Sequence, residues 1–212
     1  MTVAVIGANG SIGRLLLDQL DDTDYEAVGV VRSADQFDAI RERGAGPRLG
    51  DLEGEFASAL DGADAVVFTA GAGGATGWDK TLMVDLWGAR RTVDVCEEKG
   101  IDRYVMISAT GAADPDTGWE PLRPYLVAKR AADDYLQDSD LDETVLRPTT
   151  LTDEPGTGTV ESAFDPSDGD DIPRADVAAA VVACLDDDAT IGHRIELYAG
   201  DTPVVEAVQP PP

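Results

Sequence analysis

Basic residues are scarce in this chain of 212 residues. Three Lys, thirteen Arg and a single His stand against 30 Asp and 12 Glu, for a formal net charge of −26. Such a deficit argues against nucleic acid or an anionic membrane surface as a partner, because both are polyanions. Cysteine is nearly absent as well. Cys96 and Cys184 lie far apart, each within an apolar helical pattern, and read as two small buried hydrophobes rather than residues with a redox role. The lone His193 has no partner at ligand or triad spacing, so it reads as a surface or turn residue. The run Asp186-Asp187-Asp188 lacks the spacing of a calcium loop and reads as a solvated helix end; no metal site is expected. No apolar run approaches the roughly 20 residues of a membrane span. The N-terminus opens on a strand rather than on a leader, so a soluble, cytoplasmic protein is expected.

Hydrophobic residues make up 43% of the chain, enough to build a core, so the acidity belongs to a folded protein with an anionic surface. Many Asp and few Lys are the look of a halophile's protein. At about 0.1 M ionic strength the Debye length is near 10 Å and neighbouring carboxylates repel, whereas at about 1 M it is near 3 Å. The melting temperature is therefore expected to rise steeply when KCl is raised from dilute to molar concentration. A flat series of thermal melts would show that the acidity is not such an adaptation.

Strands and helices alternate. Apolar strands are expected at Val3–Ile6, Tyr25–Val31, Pro47–Leu49, Asp64–Phe68, Arg103–Ser108, Glu143–Leu146 and Arg194–Tyr198. Helices are expected at 34–43, 56–60, 78–99, 124–136 and 175–185. In the long helix Leu82, Leu86, Ala89, Val93 and Cys96 recur at helical spacing before Gly100 stops it. Asp153–Asp171 is rich in Gly, Pro, Asp and Thr and reads as mostly loop. Uniformly apolar strands separated by helices imply right-handed crossovers and a parallel sheet covered on both faces. The expected fold is α/β: a doubly wound parallel sheet with helices on both faces and a small C-terminal elaboration. It forms a single domain over residues 1–205, with a tail at 206–212.

The first strand runs into G-A-N-G-S-I-G at 7–13 and then a helix. Glycines at a strand-to-helix turn let a pyrophosphate approach the backbone, and the helix N-terminus offers free N–H groups. Gly7, Asn9, Gly10, Ser11, Ile12 and Gly13 are thus candidate dinucleotide contacts. The second strand ends in Arg32-Ser33, where an acid would favour NAD. A cation there suits the 2′-phosphate of NADP(H), and Arg14 is a lesser candidate. Asp51-Leu52 is placed to meet an adenine, and Ala70-Gly71 to lie beside the adenosine and ribose. Tyr125 and Lys129 stand at i and i+4, on one helix face, where the ammonium favours phenolate and lowers the tyrosine pKa. Ser108, ending a strand, could hydrogen-bond a substrate carbonyl. Trp78 and Trp87 could flank a cleft, but core packing is the simpler reading.

Together these residues resemble the short-chain dehydrogenase/reductase superfamily, and within it the compact atypical NAD(P)-binding Rossmann proteins similar to NmrA and biliverdin reductase B. The likeness runs through GANGSIG, VVRS, GDL at 50–52, VMISAT, YLVAKRAADDYL and TVLRPTTLT. It implies Tyr125 as acid/base, Lys129 on the nicotinamide ribose, Ser108 on the carbonyl, and Thr149 beside the nicotinamide. Asp85 stands where the superfamily often has an Asn that supports a proton relay, and is a fourth catalytic candidate. The resemblance implies an NADP(H)-dependent oxidoreductase acting on an unknown small carbonyl or hydroxyl compound, of the kind often labelled NAD-dependent epimerase/dehydratase, as a monomer or homodimer. The alternative is a non-catalytic NADP(H)-binding redox regulator, since members of this branch often have degraded active sites.

Overall fold

A computed structural model describes residues 1–74, 76–116, 120–164 and 169–211. Its centre is a nine-stranded sheet, and the elements follow in chain order. Strand β1 (Thr2–Ile6) leads into helix α1 (Ser11–Asp21), then β2 (Glu26–Val31), α2 (Phe37–Arg41), β3 (Gly46–Leu49) and β4 (Ala65–Phe68). Helix α3 (Trp78–Lys80) passes through a π-helical stretch (Thr81–Gly88) into α4 (Ala89–Lys99). After β5 (Arg103–Ile107) come α5 (Arg123–Gln137), β6 (Asp142–Pro148), β7 (Leu151–Thr152), β8 (Thr159–Ala163) and β9 (Ile172–Pro173). The chain closes with α6 (Arg174–Asp186), β10 (His193–Ala199), β11 (Thr202–Pro203) and α7 (Val204–Ala207).

The strand order is β11-β8-β10-β6-β5-β4-β1-β2-β3. From β10 to β3 every pairing is parallel, and β8 adds antiparallel to β10. The chain winds outward from β1 in both directions, so the switch point lies between β1 and β4. In such sheets the crevice at the C-terminal ends of those strands is the ligand site.

The pleat explains why the strands are apolar throughout. Val3 and Val5 of β1, Val67 of β4 and Val105 of β5 face one core with Leu16, Leu17 and Leu20 of α1 and Val181 and Cys184 of α6. Their neighbours Ala4, Ile6, Phe68 and Met106 face the other core, with Val93 and Cys96 of α4 and Leu136 of α5. The central strands β1, β4 and β5 are buried on both faces, as double coverage demands. Both cysteines are free and fully buried. Gly100, at φ 68°, terminates α4 in the left-handed region, its N–H turning back to Cys96 and Glu97 carbonyls.

Three readings change with the structure. The stretch Asp153–Asp171 is mostly loop among its described residues, as expected, but its middle holds β8, which extends the sheet. With Val160 inward and Glu161 outward, five residues are too few to stand out as a periodic signal. Residues 165–168 lie outside the described part. Trp78 and Trp87 are not core residues: they are 51% and 46% exposed. At the C-terminus, Val204, Ala207 and Val208 are buried against the sheet. His193 opens β10 and meets Phe164 edge-on at 5.5 Å. Among the described residues no cluster of His, Cys, Asp and Glu could hold a metal, and no helix is long and apolar enough to cross a membrane.

Candidate active site

A cleft of about 440 Å³ opens at the switch point. Gly7, Asn9 and Gly10 from the first turn, Arg32 after β2, Asp51 and Leu52 after β3, and Ala70 and Gly71 after β4 all line it. The glycines are required by contact as well as conformation. Gly7 has φ +84°, and a Cβ there would sit 2.7 Å from the Ala70 backbone; one on Gly13 would sit 2.4 Å from Gly7 O. Gly10 supplies no side-chain cap to α1, whose first turn carries no acid. The first backward bond is Arg14 N–H to Gly10 O, so the N–H groups before it have no intrahelical acceptor. In a chain with 42 acids, an acid-free, uncapped helix start facing a cleft fits an anionic ligand such as a pyrophosphate.

Arg32 is exposed at the rim and makes no ion pair among the described residues. Asp51 accepts from Glu53 N–H at 3.0 Å, which fixes its carboxylate at the cleft mouth. Gln36, Phe56, Thr69 and Val84 also line the cleft, as do Lys80 and Glu53, which pair across it at 2.7 Å. Sequence reading passed these over because single residues in loops and half-turns carry no pattern. Ser11 lies on the other side of α1, in a second cavity of about 560 Å³ with Arg14. Arg14 itself is held by Asn9 Oδ1 at 2.9 Å. Ile12 and Gly13 are buried in α1. Thr149 donates its hydroxyl to Asp170 O and its N–H to Leu197 O, and is not part of the cleft lining.

The remaining candidates meet beyond the Ala70–Ala72 wall. Lys129 is 3% exposed and donates from Nζ to Ile107 O, the last carbonyl of β5, at 2.8 Å. The Tyr125 ring centroid lies 6.0 Å from that nitrogen. Asp85 is buried, and the π-helical stretch aims it back so that Oδ2 accepts from Ala72 N–H at 2.9 Å. Burial pushes the Asp85 carboxyl up from its ordinary range, with Lys129 opposing. The tyrosine runs against the expectation from spacing. Burial raises its pKa above the ordinary value, the Lys129 ammonium opposes this, and the Asp85 and Asp133 carboxylates reinforce it. Desolvation and two anions outweigh one cation, so Tyr125 keeps its proton through neutral pH.

Ser108 is 4% exposed and its Oγ is buried without a well-formed hydrogen bond. It lies beside Asp133, whose carboxyl burial pushes up against the opposing pull of Arg147, Ser108 and Lys129. Asp133 follows Lys129 by four residues, as Lys129 follows Tyr125, so one stripe of α5 carries all three. Behind them, Arg147 Nε donates to Asp133 Oδ2 at 2.9 Å and Arg147 Nη1 to Glu196 Oε1 at 3.3 Å. Thr110 Oγ1 donates to the other oxygen of Glu196. This buried chain of charges was missed, although a trace of it was there. Arg147 follows the apolar pair Val145-Leu146 and Glu196 sits between Ile195 and Leu197, and the two strands pair with these residues in register.

A family model described as NAD(P)H-binding matches residues 7–188. The uncharacterized sugar epimerase YhfK of Bacillus subtilis is 44% identical over 213 residues, 99% of each chain. A solved structure from Bacillus halodurans, assigned as an NAD-dependent epimerase/dehydratase, superposes with a TM-score of 0.96 at 44% identity, covering 98% of both chains. The oxidoreductase ylbE of Lactococcus lactis superposes at 0.86 with 28% identity, over 98% of this chain and 95% of its own.

Proposed function

The chain belongs to the NAD(P)H-binding family, and on that premise we propose that it is an NADP(H)-dependent oxidoreductase acting on a small carbonyl or hydroxyl compound. The observation that carries this is the set of half-buried Tyr125 with buried Lys129 and Asp85, joined through Ala72 to the wall of a cleft whose glycine turn fits a pyrophosphate. When bound, the nicotinamide supplies a hydride acceptor or donor. The chain's own residues do the rest. Tyr125, protonated at neutral pH, hands its proton to the substrate oxygen during reduction. Lys129, locked to the end of β5, stabilises the phenolate left behind and would hold the nicotinamide ribose. Asp85 ties the Ala72 backbone to α3–α4 and so keeps that wall of the cleft in place. The same machinery would serve an epimerase, in which a hydride leaves and returns to one carbon, in keeping with the name of the Bacillus subtilis relative. Absorbance of NADPH followed with a panel of quinones, flavins, aldehydes and sugar nucleotides tests the reading. Binding without turnover on any of them favours a regulator, the reading to which the burial of Ser108 against Asp133 lends support.

The preference for NADP(H) rests on Arg32, a cation left unpaired among the described residues of so acidic a protein. A charge-assisted bond to the 2′-phosphate contributes roughly 1.5–3 kcal/mol, or about ten- to a hundredfold in affinity. Arg32→Ala should weaken NADPH by that factor and leave NADH nearly unchanged. Calorimetric titration of both cofactors into both proteins reads this directly, and equal wild-type affinities would refute it.

A further inference from the structure

Ser108 stands just past the end of β5, where its N–H bonds Leu146 O at 2.7 Å. Ile107 pairs with Leu146 in register, so Ser108 is level with Arg147, and Arg147 pairs in turn with Glu196 of β10. Residues level with one another on parallel strands present their side chains to the same face. For this row it is the face that α5 covers, because Asp133 of α5 accepts from Arg147 Nε on Oδ2 at 2.9 Å. A hydroxyl, a guanidinium and a carboxyl thus lie side by side across three strands, with a second carboxyl set on them by the helix.

Two atoms of this group are left over. Among the described residues, eight buried side-chain polar atoms make no well-formed hydrogen bond. Five are arginine nitrogens and two are the hydroxyls of Tyr104 and Ser108; the eighth, Asp133 Oδ1, is the one carboxylate oxygen. A buried hydroxyl needs an acceptor as much as a buried carboxylate needs a donor. Ser108 and Asp133 are neighbours, and the hydroxyl already helps to hold that carboxyl down. Arg147 occupies Oδ2, which leaves Oδ1 for the serine.

We propose that Asp133 is a positioning residue that holds the hydrogen of Ser108, and so keeps the serine from donating to a substrate oxygen until Asp133 itself takes up a proton. The role in turnover rests on the oxidoreductase reading given above. While Asp133 is a carboxylate, the Ser108 hydrogen points inward and Tyr125 acts on the substrate oxygen without it. A proton taken from solvent onto Oδ1 reverses the bond. The carboxylic acid then donates to Ser108 Oγ, and the serine hydrogen is free for a carbonyl. The charges around Asp133 set where this happens. Tyr125 and Lys129 share its stripe of α5, Arg147 comes from β6, and Glu196 and Arg194 come from β10, with Arg194 Nη2 at 3.4 Å from Asp133 O. Asp85 acts on the group through Lys129. Burial outweighs the cations, so the reversal lies above the ordinary carboxylate range.

Ser108→Cys supplies a reporter that needs no turnover. Burial pushes the thiols of Cys96 and Cys184 up to about 12, so the ultraviolet thiolate signal below that belongs to the introduced sulfur. In Asp133→Asn the amide oxygen can take the place of Oδ2 on Arg147, and the amide N–H then faces the sulfur as a donor. Added to Ser108→Cys, it should raise the thiolate fraction at about pH 8 roughly tenfold. Glu196→Gln removes the same charge from the far side of Arg147 and should change that fraction far less. Arg147 keeps Glu196 as its counter-charge in Asp133→Asn, so no ion is stranded and the variant should fold. Ser108→Ala, measured by thermal melts, gives a second test. It takes a donor from the carboxylate, so its deficit should grow from the carboxylate range toward neutral pH. With a substrate from the panel, wild-type reduction should climb on the acid side of neutrality. Asp133→Asn should hold the higher rate throughout, about 10²-fold above wild type at neutral pH, the worth of one donor to a developing oxyanion. NADPH affinity should stay unchanged. A thiolate fraction unmoved by Asp133→Asn or moved as much by Glu196→Gln, a Ser108→Ala deficit independent of pH, or an Asp133→Asn rate profile of wild-type shape would each overturn the proposal. A thiolate shift in a protein that turns over no substrate upholds the hold on Ser108 and refutes the oxidoreductase reading instead.

Discussion

Tyr125→Phe is expected to lower turnover by roughly 10²–10⁴-fold, the usual worth of a positioned general acid, while NADPH affinity stays nearly unchanged. The separation follows from the proposed roles, in which Tyr125 meets the substrate oxygen while the first turn, the ends of β2–β4 and Lys129 hold the cofactor. On the same reading Lys129→Ala should impair both, its ammonium serving the phenolate and the nicotinamide ribose. The pH profile gives an independent readout. Tyr125 has its pKa raised above the ordinary 10.0, so it is the acid form at neutral pH. Reduction, which consumes that proton, should hold a plateau through neutral pH and fall only as the alkaline range is entered. The reverse oxidation should gain as pH rises. Stopped-flow measurement of NADPH consumption with any substrate found in the panel would show both. Full activity in Tyr125→Phe would move the chemistry to Asp85 or Ser108.

Much of this arrangement could be read in the chain itself, for identifiable physical reasons. Apolar strands buried on both faces leave no polar alternation, and Ala65–Phe68 and Arg103–Ile107 showed the parallel sheet for that reason. The turn at 7–13 was legible because its glycines answer contacts with Ala70 and with the turn's own backbone that no side chain could share. Local spacing placed Tyr125 and Lys129 on one helix face, but it could not weigh burial. The tyrosine pKa accordingly moved the opposite way, a balance set by Asp85 and Asp133 arriving from elsewhere in the chain or further along the helix. A π-helical stretch has no sequence signature, and without it the outward turn of Trp87 and the inward turn of Asp85 are not apparent. Ser108 was read from its strand end alone; its burial beside Asp133 depends on α5 packing over β5.

The largest effect on stability is expected from Arg147→Met. Arg147 is 3% exposed and is the shared partner of Asp133 and Glu196, themselves 0% and 2% exposed. Removing it strands two carboxyls away from water, and breaking a buried pair in this way costs about 3–5 kcal/mol. For a protein of this size that is a fall of roughly 6–20 °C in melting temperature. The loss should depend on pH with a definite sign. Asp133 and Glu196 already have pKa values raised by burial, with Arg147 opposing in both. Without the guanidinium they rise further. A carboxyl with a raised folded-state pKa favours the folded state fully below the ordinary carboxylate range, and that contribution is lost as pH rises through the folded-state value. The deficit of Arg147→Met against wild type should therefore be small near the ordinary carboxylate pKa and grow toward neutral pH. Adding Asp133→Asn and Glu196→Gln to Arg147→Met removes the stranded charges, so the triple variant should recover a large part of the loss and flatten its pH dependence. Thermal melts of the three proteins across a pH series at fixed molar salt measure this. If the triple variant were no more stable than Arg147→Met, the cost would lie in lost packing of the long side chain instead of in the stranded carboxylates.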